Sequence, residues 1–192
     1  MKVDSLQKVT PRTGGEVKSN SHSHDASPVF SLFSRMTMPN LKPGDHAPNF
    51  SGTLADGTTV SLKDYLGKKL ILYFYPMDDT PGCTAQACSL RDANADIQAK
   101  GAMILGVSTQ NESSHRQFSS KFKLNFPLLA DTDRSVGKAY GAIGGGGLLS
   151  AAKAIVGIAD RVTFIIDEKG VIAHVIHSIN TKTHANEVLA LL

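Results

Sequence analysis

The six-residue run Leu70–Tyr75 limits the folds open to this chain more than any other feature. It reads Leu-Ile-Leu-Tyr-Phe-Tyr, a short and continuously apolar stretch. A run of this length without polar alternation predicts a strand that is buried on both of its faces. Strands of that kind occur in sheets that carry helices on both sides, so the run favours an α/β domain.

Strand-like and helical patterns alternate along the rest of the chain. A turn over Pro76–Gly82 leads into a helical pattern that continues to about Lys100, and Asn111–Leu124 is amphipathic. This alternation predicts a mostly parallel central sheet, to which a late hairpin adds antiparallel strands. The other predicted strands are Phe50–Leu54 and Thr59–Leu62, which form an N-terminal hairpin, Met103–Val107, Phe126–Ala130, Val162–Ile166 and Val171–Ile176, and the other predicted helices are Ser135–Tyr140 and Thr183–Leu192.

The first 40 residues differ in composition from the rest of the 192-residue chain. They hold ten Ser or Thr and three Pro, without the apolar periodicity that a packed helix or strand needs. We therefore predict a disordered extension over residues 1–40 and one domain over residues 41–192. Two alternatives for the extension stay open. One is an organelle presequence, which its acidic residues disfavour, and the other is a reading frame that properly begins at Met36 or Met38.

The charge balance excludes a nucleic-acid-binding role. The chain has 20 basic and 17 acidic side chains, of which residues 1–40 hold five and three, so residues 41–192 carry 15 against 14. A domain with so small a net charge lacks the excess of basic side chains that nucleic-acid binding requires.

No apolar run is long enough for a membrane span or a signal-peptide core. We expect a cytoplasmic protein, or an organellar one if residues 1–40 are a transit peptide.

Only two cysteines are present, too few for a disulfide framework, and one of them lies where a ligand site is expected. Ligands bind at the carboxyl ends of strands in an open α/β sheet, and Cys83 follows the end of the Leu70–Tyr75 strand. Cys83 also falls in the first turn of the next helix, where free N–H groups and the helix dipole stabilise a thiolate. The alternative interpretation is a small buried hydrophobic residue, the usual state of a free cysteine.

The second cysteine, Cys88, lies too far along the same helix to bond with Cys83. Residues five apart on an α-helix have α-carbons about 8.5 Å apart. A disulfide needs that distance to be within about 7 Å. A disulfide between the two cysteines would therefore require the first turns of the helix to unwind, which favours a reversible bond over a structural one. The spacing also differs from the Cys-x-x-Cys of thioredoxin-type reductases.

Several motifs resemble those of the peroxiredoxins. Pro76-x-x-x-Thr80-x-x-Cys83 is similar to the active-site motif of that family, and Cys83-Thr84-x-x-x-Cys88 is similar to its bacterioferritin-comigratory-protein or peroxiredoxin Q subfamily, the atypical two-cysteine type. The resemblance covers about residues 41–192. Four further segments are of the same type: Leu41-Lys-Pro-Gly-Asp-x-Ala-Pro-Asn-Phe50, Gln86-Ala-Cys-Ser-Leu-Arg-Asp92, Val136-Gly-Lys-Ala-Tyr-Gly141 and Arg161-Val-Thr-Phe-Ile-Ile-Asp167.

The resemblance implies a thioredoxin-like fold, with a central mixed sheet flanked by helices and an N-terminal β-hairpin. It also implies thiol-dependent reduction of hydrogen peroxide and organic hydroperoxides, with Cys83 as the attacking thiolate and the product a sulfenic acid. Thr80 would place its hydroxyl against the thiolate and the peroxide, Pro76 would shield the sulfur from water, and Arg161 would hold both the sulfur and the peroxide oxygens.

The resemblance also implies that Cys88 resolves the sulfenic acid by forming an intramolecular disulfide with Cys83. A thioredoxin or glutaredoxin-like dithiol protein then reduces that disulfide by exchange. The resemblance implies neither a metal nor an organic cofactor, and it favours a monomer.

Each of these roles has a plainer alternative. Thr80 could be only the N-cap of the helix, and Arg161 could form a surface ion pair with Asp160. Arg91 and Arg134 are the other candidate cations, and the five histidines of residues 41–192 fit structural or surface positions. At the level of function, the alternatives are a redox-sensing or chaperone-like binding protein and a metal carrier that uses both thiols, which their helical spacing disfavours.

The run Gly144–Gly147 departs from the family pattern. Without a following Gly-Lys-Ser/Thr it does not indicate a phosphate site. A flexible hinge that shapes the rim of the site and the choice of peroxide is the interpretation that we favour.

Overall fold

The computed structural model describes residues 40–144, 152 and 155–192. The predicted N-terminal extension therefore lies outside the described residues except for Asn40, and the glycine run Gly144–Gly147 lies outside them except for Gly144. No helix within the described ranges is both long enough and apolar enough to span a membrane.

The elements follow one another as the alternating pattern predicts, and most predicted bounds differ from the observed ones by only one or two residues. A 3-10 turn over Leu62–Tyr65 follows the N-terminal hairpin. The strands are β1 Ser51–Leu54, β2 Thr59–Ser61, β3 Lys69–Phe74, β4 Ala102–Ser108, β5 Leu128–Ala130, β6 Val162–Ile166 and β7 Ile172–Ile176, and the helices are α1 Pro81–Asp92, α2 Asn94–Ala99, α3 Glu112–Phe122, α4 Ser135–Ala139 and α5 His184–Leu191.

The strands form one mixed sheet of seven in the order β2-β1-β5-β4-β3-β6-β7. Only β3 with β4 and β4 with β5 pair in parallel. The N-terminal hairpin joins β5 antiparallel, and β6 lies antiparallel between β3 and β7. The expectation of a mostly parallel sheet was therefore wrong, while a central mixed sheet flanked by helices and a hairpin at the N-terminal end is confirmed. Alternation of strands and helices predicts parallel crossovers, but it does not reveal where a hairpin is added.

Both faces of β3 are buried, as its continuous apolar run predicts. Leu70, Leu72 and Phe74 belong to an apolar cluster on one face of the sheet, and Ile71 and Tyr73 belong to a second cluster on the other. Each of these five side chains is at most 1 % exposed. Because successive side chains of a strand point to opposite faces, β3 contributes to two cores at once.

The single helix predicted from Gly82 to about Lys100 is two helices, with a break at Ala93. The break places Asn94 in a buried position, where its Nδ2 donates to the carbonyl oxygen and the Oδ1 of Asn125 at 3.1 and 3.0 Å. The apolar spacing continues through the break, so periodicity alone does not show it. Likewise β5 is shorter than the predicted Phe126–Ala130, since Pro127 has no N–H to donate to a ladder.

We predict that both faces of β3 contribute comparably to stability. Ile71→Ala and Leu72→Ala should each lower the free energy of unfolding by about 2–5 kcal/mol, because each leaves a cavity in a different core. Leu66→Ala, at a side chain that is 50 % exposed, is the control and should change it by less than about 0.5 kcal/mol. Urea denaturation measures all three, and a large loss for only one of the two core variants would contradict burial on both faces.

Candidate functional site

The pairing of β3 with β6 brings Arg161 to the carboxyl end of β3. In this antiparallel ladder Phe74 lies opposite Val162, so the residue before β6 lies beside the residue after β3. The chain that leaves β3 forms a short loop and enters α1 at Pro81. The site therefore forms where the first turn of α1 meets the start of β6. The approach is close, since a β-carbon added to Gly82 would lie 3.5 Å from an Arg161 Nη atom.

Cys83 is the third residue of α1 and is 2 % exposed. Its sulfur accepts a hydrogen bond from the Nη2 of Arg161 at 3.3 Å. The thiol is therefore buried, as the plainer alternative expects, and it also faces a permanent cation at a helix N-terminus, as the thiolate interpretation expects. A guanidinium and free helical N–H groups both stabilise a negative sulfur, so this arrangement favours a nucleophilic thiolate.

Gln86, one turn beyond Cys83, holds the guanidinium in place. Its Oε1 accepts a hydrogen bond from the Nη1 of Arg161, and its side chain is fully buried. Arg161 therefore uses its two terminal nitrogens on two groups of the same helix, Cys83 and Gln86. Sequence reasoning missed Gln86, although its position three residues after Cys83 on one helix face could have identified it.

The other two predicted loop residues lie at the site with less direct contacts. Pro76 directly follows β3 and is half-buried. Thr80 occupies the N-cap position of α1, but its hydroxyl donates to the carbonyl oxygen of Met77 at 3.2 Å and makes no side-chain cap. Its own carbonyl oxygen accepts the first helical bond, from the N–H of Thr84 at 2.8 Å. The Thr80 hydroxyl thus shapes the loop.

Cys88 lies on the same intact helix as Cys83, half-buried, and both thiols are free. The next residue, Ser89, anchors the helix to α5, because its Oγ accepts the backbone N–H of Ala185 at 3.1 Å. Arg91, the alternative cation, pairs with Asp92 at 2.7 Å and donates to the carbonyl oxygen of Phe122 at 2.6 Å. The surface role expected for Arg91 and Asp92 fits these contacts.

A buried polar cluster beneath the loop was not predicted. Asp78 and His115 are 37 residues apart in sequence, and the Nδ1 of His115 lies 2.8 Å from the Oδ2 of Asp78. Nothing in the spacing of the two residues links them, so no sequence signal was available. Burial acts to raise the pKa of Asp78, but the hydrogen bond from His115 and two others outweigh it, so that pKa lies below its ordinary value.

His184, at the start of α5, is buried beside Thr163 of β6. Its Nε2 lies 3.1 Å from the hydroxyl oxygen of Thr163, and its Nδ1 lies 3.7 Å from the Oε2 of Glu187. Burial lowers the pKa of His184 to about 4, the charge of Arg161 acts in the same direction, and the charge of Glu187 opposes them. The ring is therefore neutral at pH 7.

The described residues contain no group of three or more His, Cys, Asp or Glu side chains arranged to hold a metal ion. The chemistry that this part of the chain offers at α1 is that of one buried thiol beside a fixed guanidinium. A second thiol lies on the same helix but outside bonding geometry. Such a pair can attack an electrophile at Cys83 and can then form a disulfide only if α1 rearranges.

Comparison with known proteins agrees with this chemistry. The model of the AhpC/TSA family matches residues 43–175. Peroxiredoxin Bcp of Escherichia coli K12 is 41% identical over 149 residues, which cover 78% of this chain and 94% of that protein.

Solved structures agree as well. The crystal structure of a PrxQ mutant from Xylella fastidiosa superposes with a TM-score of 0.71 at 29% identity, covering 79% of this chain and 95% of the other. A bacterioferritin comigratory protein of Xanthomonas campestris, whose structures concern its alkyl peroxide reduction, superposes with a TM-score of 0.65 at 30% identity, over 73% and 88%.

We predict that Gln86 sets the reactivity of Cys83 through Arg161. Gln86→Leu removes the acceptor that holds the guanidinium, and it also removes an Nε2 atom that has no hydrogen-bond partner among the described residues. The rate of alkylation by iodoacetamide, followed on Cys83 by mass spectrometry, should fall about tenfold, the effect of losing one hydrogen bond to a charged group. Gln98→Leu, on the exposed face of α2, should leave it unchanged. An unchanged rate in Gln86→Leu would refute the positioning role.

His184 gives the fold a pH dependence whose sign can be stated. The unfolded chain binds a proton at His184 below about pH 6.5, whereas the folded chain does so only near pH 4. Stability from this group is therefore complete above pH 6.5 and is lost as the pH falls toward 4, by an amount on the order of 3 kcal/mol. In urea denaturation across this range, His184→Asn should reduce the pH dependence, while His177→Asn, at an exposed position, should match the wild type. Equal slopes for His184→Asn and wild type would contradict this.

Proposed function

The chain belongs to the AhpC/TSA family as a peroxiredoxin of the Bcp/PrxQ type, an enzyme that reduces peroxides, and we propose that Cys83 attacks the peroxide and Cys88 resolves the product. The observation that carries the proposal is the 3.3 Å hydrogen bond from the Nη2 of Arg161 to the Cys83 sulfur, in the first turn of α1. A thiolate at this place has a permanent positive charge beside it and free helical N–H groups around it.

In the first step, the Cys83 thiolate attacks one peroxide oxygen. A sulfur–oxygen bond forms, the oxygen–oxygen bond breaks, and the departing oxygen takes a proton and leaves as water or an alcohol. The sulfur supplies the two electrons that reduce the peroxide, and it is itself oxidised to a sulfenic acid. Arg161 stabilises the charge that develops on the departing oxygen, since its guanidinium stays protonated and donates from more than one nitrogen.

Thr80 and Pro76 act on this step from the loop. Thr80 lies three residues before Cys83, and its hydroxyl, which donates to the carbonyl oxygen of Met77, would turn toward the bound peroxide. Half-buried Pro76 would limit the access of water to the sulfur without adding a competing N–H donor. Both assignments rest on the likeness of the loop to the family motif and on its position at the end of β3.

In the second step, the Cys88 thiol attacks the Cys83 sulfenic acid. A sulfur–sulfur bond forms, the sulfur–oxygen bond breaks, and the oxygen leaves as water. Because both thiols lie on intact α1, the first two turns of that helix must unwind for the sulfurs to meet. The exposed or half-buried positions of Pro81, Gly82 and Thr84 favour unwinding from the N-terminal end.

A dithiol protein would complete the cycle by exchange with the Cys83–Cys88 disulfide. The reductant is predicted to be thioredoxin or a glutaredoxin-like protein, and hydrogen peroxide and organic hydroperoxides are the predicted substrates. The Xanthomonas campestris relative supports the organic class, because its structures concern alkyl peroxide reduction. The monomeric state and the cytoplasmic or organellar location also stay predictions.

The cysteine roles are tested by turnover with a thioredoxin reducing system, which couples peroxide loss to NADPH oxidation. Cys83→Ser should reduce turnover to the background rate, because no thiolate is left to attack. Cys88→Ser should consume one equivalent of peroxide, accumulate a Cys83 sulfenic acid that dimedone traps, and turn over only when a small thiol such as dithiothreitol is added. The two serine variants serve as controls for each other.

The same assay can reject the proposal. Turnover by Cys83→Ser would show that another group attacks the peroxide, and unimpaired thioredoxin-dependent turnover by Cys88→Ser would show that Cys88 does not resolve. If the wild type reacts with peroxides no faster than free cysteine does, the redox-sensing alternative is favoured over the enzyme.

A further inference from the structure

Asp78, three residues before the start of α1, is the centre of a buried polar cluster. Its Oδ1 accepts a hydrogen bond from the hydroxyl of Tyr75 at 2.7 Å, and its Oδ2 accepts one from the hydroxyl of Ser114 at 2.6 Å. The Nδ1 of His115 donates to the same Oδ2 at 2.8 Å. The Asp78 side chain is 4% exposed and that of His115 is fully buried.

The His115 ring links the cluster to the sheet. Its Nε2 lies 3.1 Å from the carbonyl oxygen of Leu129 in β5, while its Nδ1 faces the Asp78 carboxylate. A carboxylate and a carbonyl oxygen can only accept, so the ring lies between two acceptors. The buried Asp78–His115 hydrogen bond therefore ties the β3–α1 loop to α3, and the His115 ring extends the link to β5.

Two further contacts attach the loop to the same side of the domain. The backbone N–H of Asp78 donates to the Oε1 of Gln110, and the carboxylate of Asp79 pairs with Lys121 of α3. Asp79 itself has a φ of 56°, a left-handed conformation that residues other than glycine adopt infrequently. Such a conformation persists where its surroundings determine it, and here Asp78 is fixed on one side and the N-cap residue Thr80 on the other.

We propose that the buried Asp78–His115 hydrogen bond is a positioning device for peroxide attack. It holds the loop in the one path that starts α1 at Pro81 and so places the Cys83 sulfur against Arg161. His115 touches neither the sulfur nor Arg161 in the contacts described above, so it acts through Asp78. The pair also lies outside the part of α1 that must unwind, and it therefore fixes the loop throughout the cycle. This proposal rests on the proposed function of Cys83.

Two conservative variants of His115 separate positioning from mere stability. In His115→Asn the amide nitrogen takes the place of Nδ1 and keeps the bond to Asp78, while the bond to Leu129 is lost. In His115→Gln the amide nitrogen takes the place of Nε2 and keeps the bond to Leu129, while the bond to Asp78 is lost. Both remove the ring from the same buried place, so both should lower the urea midpoint by similar amounts.

The readout is the second-order rate constant of the full-length chain with hydrogen peroxide, measured by competition with horseradish peroxidase because the chain has no Trp. We expect His115→Gln to lower it about 10- to 100-fold, the effect of misplacing a reacting atom by about 1 Å, and His115→Asn to stay within about threefold of the wild type. Equal rate constants for the two variants, or rate constants that follow the urea midpoints, would overturn the proposal.

Ser114→Ala tests the same device by a change that leaves the Asp78–His115 hydrogen bond in place. It removes one of the three donors to Asp78, and we expect a severalfold lower rate constant, whereas Ser113→Ala, at an exposed position of the same helix, should match the wild type. An unchanged rate constant in Ser114→Ala would count against the positioning role. If the wild type itself does not react with peroxide, the proposed function has failed, which is a different result from equal rates among reactive variants.

Discussion

The antiparallel pairing of β6 with β3 is the constraint on which the site depends. Phe74 and Val162 are partners in that ladder, so the start of β6 must lie at the end of β3 where the chain turns into α1. Arg161 reaches Cys83 because of this register, and a shift by one residue would turn its side chain to the other face of the sheet. The same ladder is buried on both faces, so the apolar cores that stabilise the sheet also hold the guanidinium and the thiol together.

Burial at the site removes water from both the Cys83 thiol and the Arg161 guanidinium, so each group needs a polar partner within the protein. A buried thiol loses the water that would stabilise its charged form, and Arg161 replaces that water with a fixed donor 3.3 Å from the sulfur. Arg161 in turn needs a partner for its other nitrogen, and Gln86 supplies it without adding a negative charge that would repel a thiolate. The arrangement places one net positive charge beside the sulfur, which suits a reaction in which negative charge moves from sulfur to oxygen.

Much of the fold could be predicted because it depends on local patterns. The continuous apolar run of β3 and the turn between Leu54 and Thr59 are properties of adjacent residues, and the structure has both elements. The position of β6 between β3 and β7 depends on long-range pairing, and the prediction of a mostly parallel sheet failed there. The break at Ala93 was missed for a similar reason, since it serves a contact between Asn94 and Asn125 that no helical periodicity encodes.

The site divides in the same way. Cys83 was proposed as the reactive thiol from its place at a strand-to-helix turn, and Pro76, Thr80, Cys88 and Arg161 were assigned by resemblance to a family motif. The contacts that give Arg161 and the loop their positions come from Gln86 and His115, and neither residue was assigned a role from the sequence, although Gln86 lies in a segment similar to the family's core. Sequence motifs mark the groups that react, whereas the groups that position them depend on tertiary contacts.

Helix α1 is held at both ends, and the proposed disulfide requires the segment between them to rearrange. Before it, Asp78 is fixed by buried hydrogen bonds from three side chains, and after Cys88 the hydroxyl of Ser89 holds the helix to the N-terminus of α5. Between these anchors lie Pro81–Cys88, whose first residues are exposed or half-buried. Because both ends of this segment are held, unwinding it changes the backbone path of only a few residues. The conformational entropy that the chain gains and the contacts that it loses are therefore both limited. Under the proposed function, a helix held in this way would open for disulfide formation and close again into the one geometry in which Arg161 meets Cys83.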